Sequence, residues 1–287
     1  MGPLAILGPG VLGLSTAQWA AECGLETWLL GRDQEHAEAG AHEIHRRWDR
    51  SCAKGQMDPE ARDRALGRLQ AAPFSAAALE GISVLLEALP EDPDLKTPAL
   101  ALAGRWGTPD LLLLSGTSSL PIADLATRSG LVGRLVGFHL FVPVAKMAVV
   151  EMAIASGTGA SWVERARGLA FTLHKRVVQV RDQPGFAAAR MALAQGLEAM
   201  RLLETGVATA EDLDALMTLG YGHPIGPLEL SDRVGLDLRL RIAEGLTALG
   251  EERFRPPALL QAKVDGRFTG LKAGQGFHAW NSLGRRA

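Results

Sequence analysis

The sequence predicts an α/β protein: a mostly parallel sheet domain followed by an all-α C-terminal domain. Three observations predict it. A short apolar run near the start, Leu4 to Leu7, leads through a glycine-rich turn into a helical stretch. Further short apolar runs then alternate with helical stretches as far as Arg181, the rhythm of a parallel sheet with crossover helices. From Phe186 onward the pattern is helical almost to the end. The break falls at Asp182-Gln183-Pro184-Gly185, so residues 1–183 and 184–287 are expected as two domains.

Composition bounds the functions. The chain has 287 residues, of which 47% are hydrophobic and 22% charged, enough apolar matter for one large or two ordinary cores. A net charge of −2 speaks against a general nucleic-acid or membrane-surface role. The long apolar region near residues 135–155 holds Pro143, Lys146 and Glu151, which no membrane span would carry. Cys23 and Cys52 stand alone with no metal-ligand spacing, so they read as two unpaired thiols in a reducing compartment. No basic segment and apolar core form a leader at the start. A cytoplasmic protein without a metal site is expected.

The first element carries the clearest chemistry. Leu4-Ala5-Ile6-Leu7 runs into Gly8-Pro9-Gly10-Val11-Leu12-Gly13, and Leu14 to Ala21 reads as a helix. Strand, G-x-G-x-x-G and helix form the fingerprint of a Rossmann-type dinucleotide site. Gly8 would make the tight turn and Gly10 would let the backbone approach a pyrophosphate. Gly13 would let helix and strand pack closely. Val11 and Leu12 open the helix, whose free N–H groups and positive dipole end suit an anion.

Thr27-Trp28-Leu29-Leu30 reads as the second strand, ending near the adenosine ribose. An NAD enzyme usually places an acid there to bind the 2′-hydroxyl. Here Gly31 stands 18 residues after Gly13, followed by Arg32 and Asp33. A missing acid beside an arginine suits a 2′-phosphate, so NADP is slightly favoured over NAD. The alternative is a solvated Arg32 with Asp33 on the ribose.

Residues 34–70 read as charged helix with a solvated face. Ile82 to Leu86 reads as a buried strand, then Glu87 to Asp92 and a helix carrying Lys96. Leu111 to Leu114 is a further strand, ending at Ser115-Gly116-Thr117-Ser118. Glu91 and Ser118 thus follow strand ends, where α/β ligands bind; either could equally serve as a cap. Leu135 to Pro143 and Val149 to Met152 read as two apolar strands holding His139 and Glu151. A carboxylate in Val-Val-Glu-Met needs a partner, and His139 is the simplest. Such a carboxylate would orient the imidazole and raise its basicity. Arg176 to Arg181 reads as a last strand.

Together these residues resemble the 3-hydroxyacyl-CoA dehydrogenases along nearly the whole chain. Glu87 to Lys96 resembles the family's cofactor-side segment, and Ser115 to Leu120 its S-N-T-S-S-L. Gly137-Phe138-His139-Leu140-Phe141-Val142-Pro143 is similar to G-x-H-F-F-N-P, with Glu151 twelve residues after the histidine. Pro184-Gly185-Phe186 opens the second domain. Gly226 to Asp237 is similar to G-P-F-E-L-x-D-x-V-G-L-D, and Lys272 to Phe277 to K-T-G-x-G-F.

The resemblance implies NAD(P)-dependent, reversible oxidation of a 3-hydroxyacyl thioester. His139 would be the acid–base and Glu151 its orienting partner. Ser118 would lie beside substrate and nicotinamide. Glu91, Lys96 and Lys272 would line the dinucleotide, and Lys54 would meet CoA phosphates. A homodimer through the C-terminal domain is implied. Two positions depart from the family: Val142 and Ala189 stand where it carries asparagines. Their loss keeps two alternatives open, a cofactor-binding paralogue with little turnover, or a dehydrogenase of a carrier-bound or free hydroxy acid.

Overall fold

The computed structural model describes residues 2–287. Its backbone divides into two compact units that meet at Phe186 and Ala187. The sequence pattern breaks slightly earlier, at residue 183. Phe186 stays with the first unit because its ring is 3% exposed and belongs to that unit's apolar core.

The first unit is built on a sheet of eight strands among the described residues, in the order β3-β2-β1-β4-β5-β6-β7-β8. In chain order these are β1 Leu4–Leu7, β2 Thr27–Gly31, β3 Leu69–Pro73, β4 Val84–Glu87, β5 Leu112–Ser115, β6 Val136–Leu140, β7 Val149–Ile154 and β8 Arg176–Arg181. The first six are parallel; β7 pairs antiparallel with β6, and β8 runs parallel to β7. The helices are α1 Val11–Glu22, α2 Gln34–Ala53, α3 Pro59–Leu66, α4 Pro93–Trp106, α5 Ile122–Ser129 and α6 Ala160–Thr172.

Alternation along the strands sends side chains to opposite faces of the sheet. Leu4 and Ile6 join a core with α1, α2 and α6, while Ala5 and Leu7 join one with α4 and α5. Both faces are therefore covered, as parallel sheets require. The helix α2 buries Ala37, Gly40, Ala41, Ile44 and Trp48, a stripe at helical spacing that docks its charged sequence. The order reverses between β1 and β4, which puts a crevice at the carboxyl ends of those strands.

One expectation is corrected. Residues 34–70 are not continuous helix: α2 and α3 are separate, and the chain then forms the strand β3. The strand Leu-Gln-Ala-Ala-Pro lies at the sheet edge with only Leu69 buried. It therefore lacks the apolar run that marks the inner strands, and its proline is tolerated because an edge has unpaired groups.

The second unit is helical apart from isolated bridges near its end: α7 Ala188–Glu204, α8 Ala210–Ala215, α9 Pro227–Val234, α10 Leu236–Ala248 and α11 Ala258–Asp265. Two buried aspartates organise it. Asp214 accepts the Leu228 and Glu229 N–H groups at the start of α9, at 2.8 and 2.9 Å. Asp232 accepts from Phe277 N, His278 N and Trp280 Nε1, each at 2.9 Å. A Cβ on Gly276 would lie 2.0 Å from Asp232 Oδ1, so the terminal K-A-G-Q-G-F segment closes onto α9 only as glycine.

Both cysteines are unpaired, and burial pushes the Cys23 thiol up to about 11. Among the described residues no helix is long and apolar enough to cross a membrane, and no cluster of metal-ligand side chains occurs.

Candidate active site

The site is assembled at the carboxyl edge of the sheet. At the end of β1, Gly8 takes φ +107°, and a Cβ there would meet the Ala88 carbonyl at 2.9 Å. Gly13 lies so close to the same turn that its Cβ would be 1.8 Å from Gly8 O. Those two glycines are explained by the protein's own packing. Gly10 is not: its φ is −80°, and a Cβ would meet nothing within 4 Å. It caps α1 without a side-chain hydrogen bond, and the first turn carries no acid. Val11 is exposed, while Leu12 turns inward against the core. A bare backbone with uncapped N–H groups at a helix start fits a pyrophosphate.

At the end of β2, Gly31 is buried, and a Cβ would stand 2.6 Å from Ala37 N in α2. The start of α2 fills the space that an acidic side chain at this position would need. Asp33 caps that helix by accepting from His36 N at 2.7 Å. Arg32 lies in solvent with its Nε 3.1 Å from Asp33 Oδ2.

The ends of β4 and β5 are joined through carboxylates. Glu87, fully buried, accepts from Ser115 Oγ at 2.6 Å, Leu89 N at 2.6 Å and Lys96 Nζ at 2.8 Å. Glu91 accepts from Thr117 Oγ1 (2.7 Å), the Ser118 and Ser119 N–H groups (both 2.9 Å) and Ser119 Oγ (2.8 Å). Ser118 Oγ is 3.3 Å from the same oxygen. Burial alone would raise the Glu91 carboxyl's pKa. Lys96 and these donors outweigh it and hold the group below its usual value. Lys96 is 1% exposed, its ammonium shared among Glu87, Leu89 O and Glu91.

On the antiparallel pair β6–β7, His139 and Glu151 are direct cross-strand partners. The register explains their separation of twelve residues. His139 Nδ1 is 2.9 Å from Glu151 Oε2, with the carboxylate 3% and the imidazole 13% exposed. The Phe141 ring leans on the imidazole with centroids 4.4 Å apart. A buried carboxylate on Nδ1 fixes the ring and leaves Nε2 for proton transfer. The register Ser115↔Gly137 brings the loop of Ser118 and the end of β6 to the same edge.

Lys54 is exposed just past the end of α2. Val142, 43% exposed, lies two residues past the end of β6. In the second unit, Lys272 Nζ is 2.6 Å from Asp237 Oδ2. Burial alone would raise the Asp237 carboxyl's pKa, but Lys272 brings it below its usual value. Ala189 and Arg190 lie in α7, and Arg190 pairs with Glu251 at 2.7 Å. Sequence reasoning passed over Glu87 as a functional group. The signal was present: a carboxylate ending the apolar run Val-Leu-Leu-Glu must find a cation or donors.

The model of the 3-hydroxyacyl-CoA dehydrogenase NAD binding domain matches residues 3–183, and that of the C-terminal domain matches residues 185–280. A probable 3-hydroxybutyryl-CoA dehydrogenase of Bacillus subtilis is 33% identical over 276 residues, covering 96% of each chain. A 3-hydroxybutyryl-CoA dehydrogenase of Mycobacterium tuberculosis is 33% identical over 282 residues, covering 96% of this chain and 98% of the relative. The crystal structure of (S)-3-hydroxybutyryl-CoA dehydrogenase from Ralstonia eutropha superposes with a TM-score of 0.92 at 30% identity, covering 98% and 99% of the two chains. The protein is an NAD(P)-dependent oxidoreductase and belongs to the 3-hydroxyacyl-CoA dehydrogenase family.

Proposed function

We propose that the chain interconverts a short 3-hydroxyacyl-CoA and its 3-oxo form, with His139 as the acid–base. The carrying observation is the 2.9 Å His139–Glu151 contact at the carboxyl edge of the sheet. In oxidation His139 Nε2 takes the proton of the 3-hydroxyl, and Glu151 stabilises the imidazolium that forms. A nicotinamide bound at this edge would accept the hydride that leaves carbon 3, and in its reduced form would return it. In reduction His139 returns the proton to the 3-oxo oxygen. The relatives' names support a four-carbon acyl group.

The uncapped turn Gly8–Gly13 supports pyrophosphate binding there. Ser118 would lie beside substrate and nicotinamide, and Glu91 and Lys96, paired at 3.4 Å, would line the dinucleotide. Lys272 would approach the dinucleotide, and Lys54 the phosphates of CoA. The acid-free end of β2 and exposed Arg32 support acceptance of NADP, slightly ahead of NAD. Residues 1–183 would serve as the dinucleotide domain and 184–287 as the substrate and dimerisation domain of a homodimer. Two free thiols support a reducing, cytoplasmic setting.

The test is reduction of acetoacetyl-CoA with NADH and with NADPH, followed by nicotinamide absorbance. Turnover that is lost in His139→Gln supports the reading. A folded protein that reduces nothing with either cofactor overturns it. The apolar Val142 beside the end of β6 favours a second reading, cofactor binding with little turnover. Tight NAD(P)H binding without turnover would be its signature.

A further inference from the structure

Lys175 is 6% exposed, and the acidic group that faces it is the thiol of Cys23, not a carboxylate. The lysine lies between α6 and β8. Burial lowers its pKa from the usual lysine value. A methionine would fill the same space without that cost. The ammonium donates to the Val144 carbonyl at 2.5 Å and lies 4.9 Å from the centroid of the Trp19 ring. Trp19 is fixed in turn, its Nε1 donating to Leu173 O at 2.8 Å.

Val144 is held at its other backbone group as well. Its N–H donates to Ser15 Oγ at 2.9 Å. Ser15 and Trp19 are four residues apart, on one side of α1. The helix thus grips one loop residue twice, directly at the amide and through Lys175 at the carbonyl. Val144 is fully buried and sits in the loop that joins β6 to β7. That loop begins with Phe141, whose ring leans on His139. The same helix α1 starts at the glycine turn. A single rigid element therefore touches both the cofactor-side turn and the loop behind the acid–base.

We propose that Ser15 and Lys175 are positioning residues that lock the loop following His139 to α1, so that the imidazole and the dinucleotide keep a fixed relative placement. This rests on His139 being the acid–base. A displacement of about 1 Å between reacting groups can cost about a hundredfold in rate. Loosening the loop should therefore act on the chemical step rather than on binding.

Two variants, Lys175→Met and Ser15→Ala, are compared with wild type in acetoacetyl-CoA reduction, using ordinary and 4-deuterated reduced nicotinamide. We expect kcat to fall by about tenfold or more in Lys175→Met and by less in Ser15→Ala. KM and the NAD(P)H dissociation constant should stay within about twofold, and the deuterium isotope effect on kcat should rise. The double variant should lose less than the sum of the single losses on a free-energy scale, because both act through Val144. If Lys175→Met does not fold, Ser15→Ala carries the same readouts. A folded variant with altered Tm but unchanged kcat and isotope effect overturns the proposal. Unchanged turnover in His139→Gln overturns the underlying reading instead, so the two failures are distinguishable.

Discussion

Gly10→Val separates what the glycine turn does for the fold from what it does for a ligand. The backbone at Gly10 is extended (φ −80°, ψ −171°), which valine adopts freely, and its Cβ would meet no protein atom within 4 Å. No side-chain cap is lost, because none exists. The fold should therefore lose about 1 kcal/mol or less, the ordinary penalty for valine at a helix N-cap. In a chain of this size that moves Tm by about 2–4 °C or less. A pyrophosphate would be affected differently. The valine methyls would occupy the space above the first N–H groups of α1. Losing two charge-assisted hydrogen bonds of about 1.5–3 kcal/mol each weakens binding by roughly a hundredfold or more. Gly13→Ala provides the contrast, since its Cβ would lie 1.8 Å from Gly8 O and must displace backbone. That variant should unfold at clearly lower temperature. NAD(P)H fluorescence titration and thermal melting measure both effects. A folded Gly10→Val protein with wild-type affinity would refute the placement of the pyrophosphate. An unchanged Tm in Gly13→Ala would refute the packing argument.

Three further perturbations follow from the same contacts. Glu151→Gln keeps the shape beside His139 but removes the charge; trading a charge-assisted bond for a neutral one costs about 1–2 kcal/mol. The kcat for acetoacetyl-CoA should fall roughly five- to thirtyfold with little change in KM, and a change under twofold would leave Glu151 without an electrostatic role. Arg239 is 4% exposed with its Nε unpartnered, and burial lowers its pKa to about 10. Replacing such an uncompensated cation by methionine should raise stability against urea by about 1–3 kcal/mol; a loss would show that the guanidinium has a favourable role. The Glu91 carboxyl sits below its ordinary 4.5 in the folded chain, so it contributes stability above that value and loses it as pH falls through the folded pKa. Melting temperature should fall less steeply below about pH 4.5 in Glu91→Gln than in wild type. Equal slopes would mean that Glu91 is not part of the acid transition.

The sequence by itself determined the elements whose signals are local. The strand–turn–helix from Leu4 to Ala21 was legible because apolar runs, glycines and helical period lie within a few residues of one another. The alternation to Arg181 and the helical remainder followed from the same periodicities. The pairing of His139 with Glu151 could be argued because a buried carboxylate needs a partner and only a short connection separates the two strands. Tertiary structure alone decided the rest. The strand β3 has a weak pattern and is fixed by its neighbour β2. Asp33 became a helix cap once α2 packed onto Gly31. The bond from Ser115 to Glu87 spans 28 residues, and that from Val144 to Ser15 spans 129. Polar contacts of that range leave no periodic trace in a sequence. They exist only where the sheet order brings distant strand ends to one edge, and there desolvation favours donors and acceptors that are partnered.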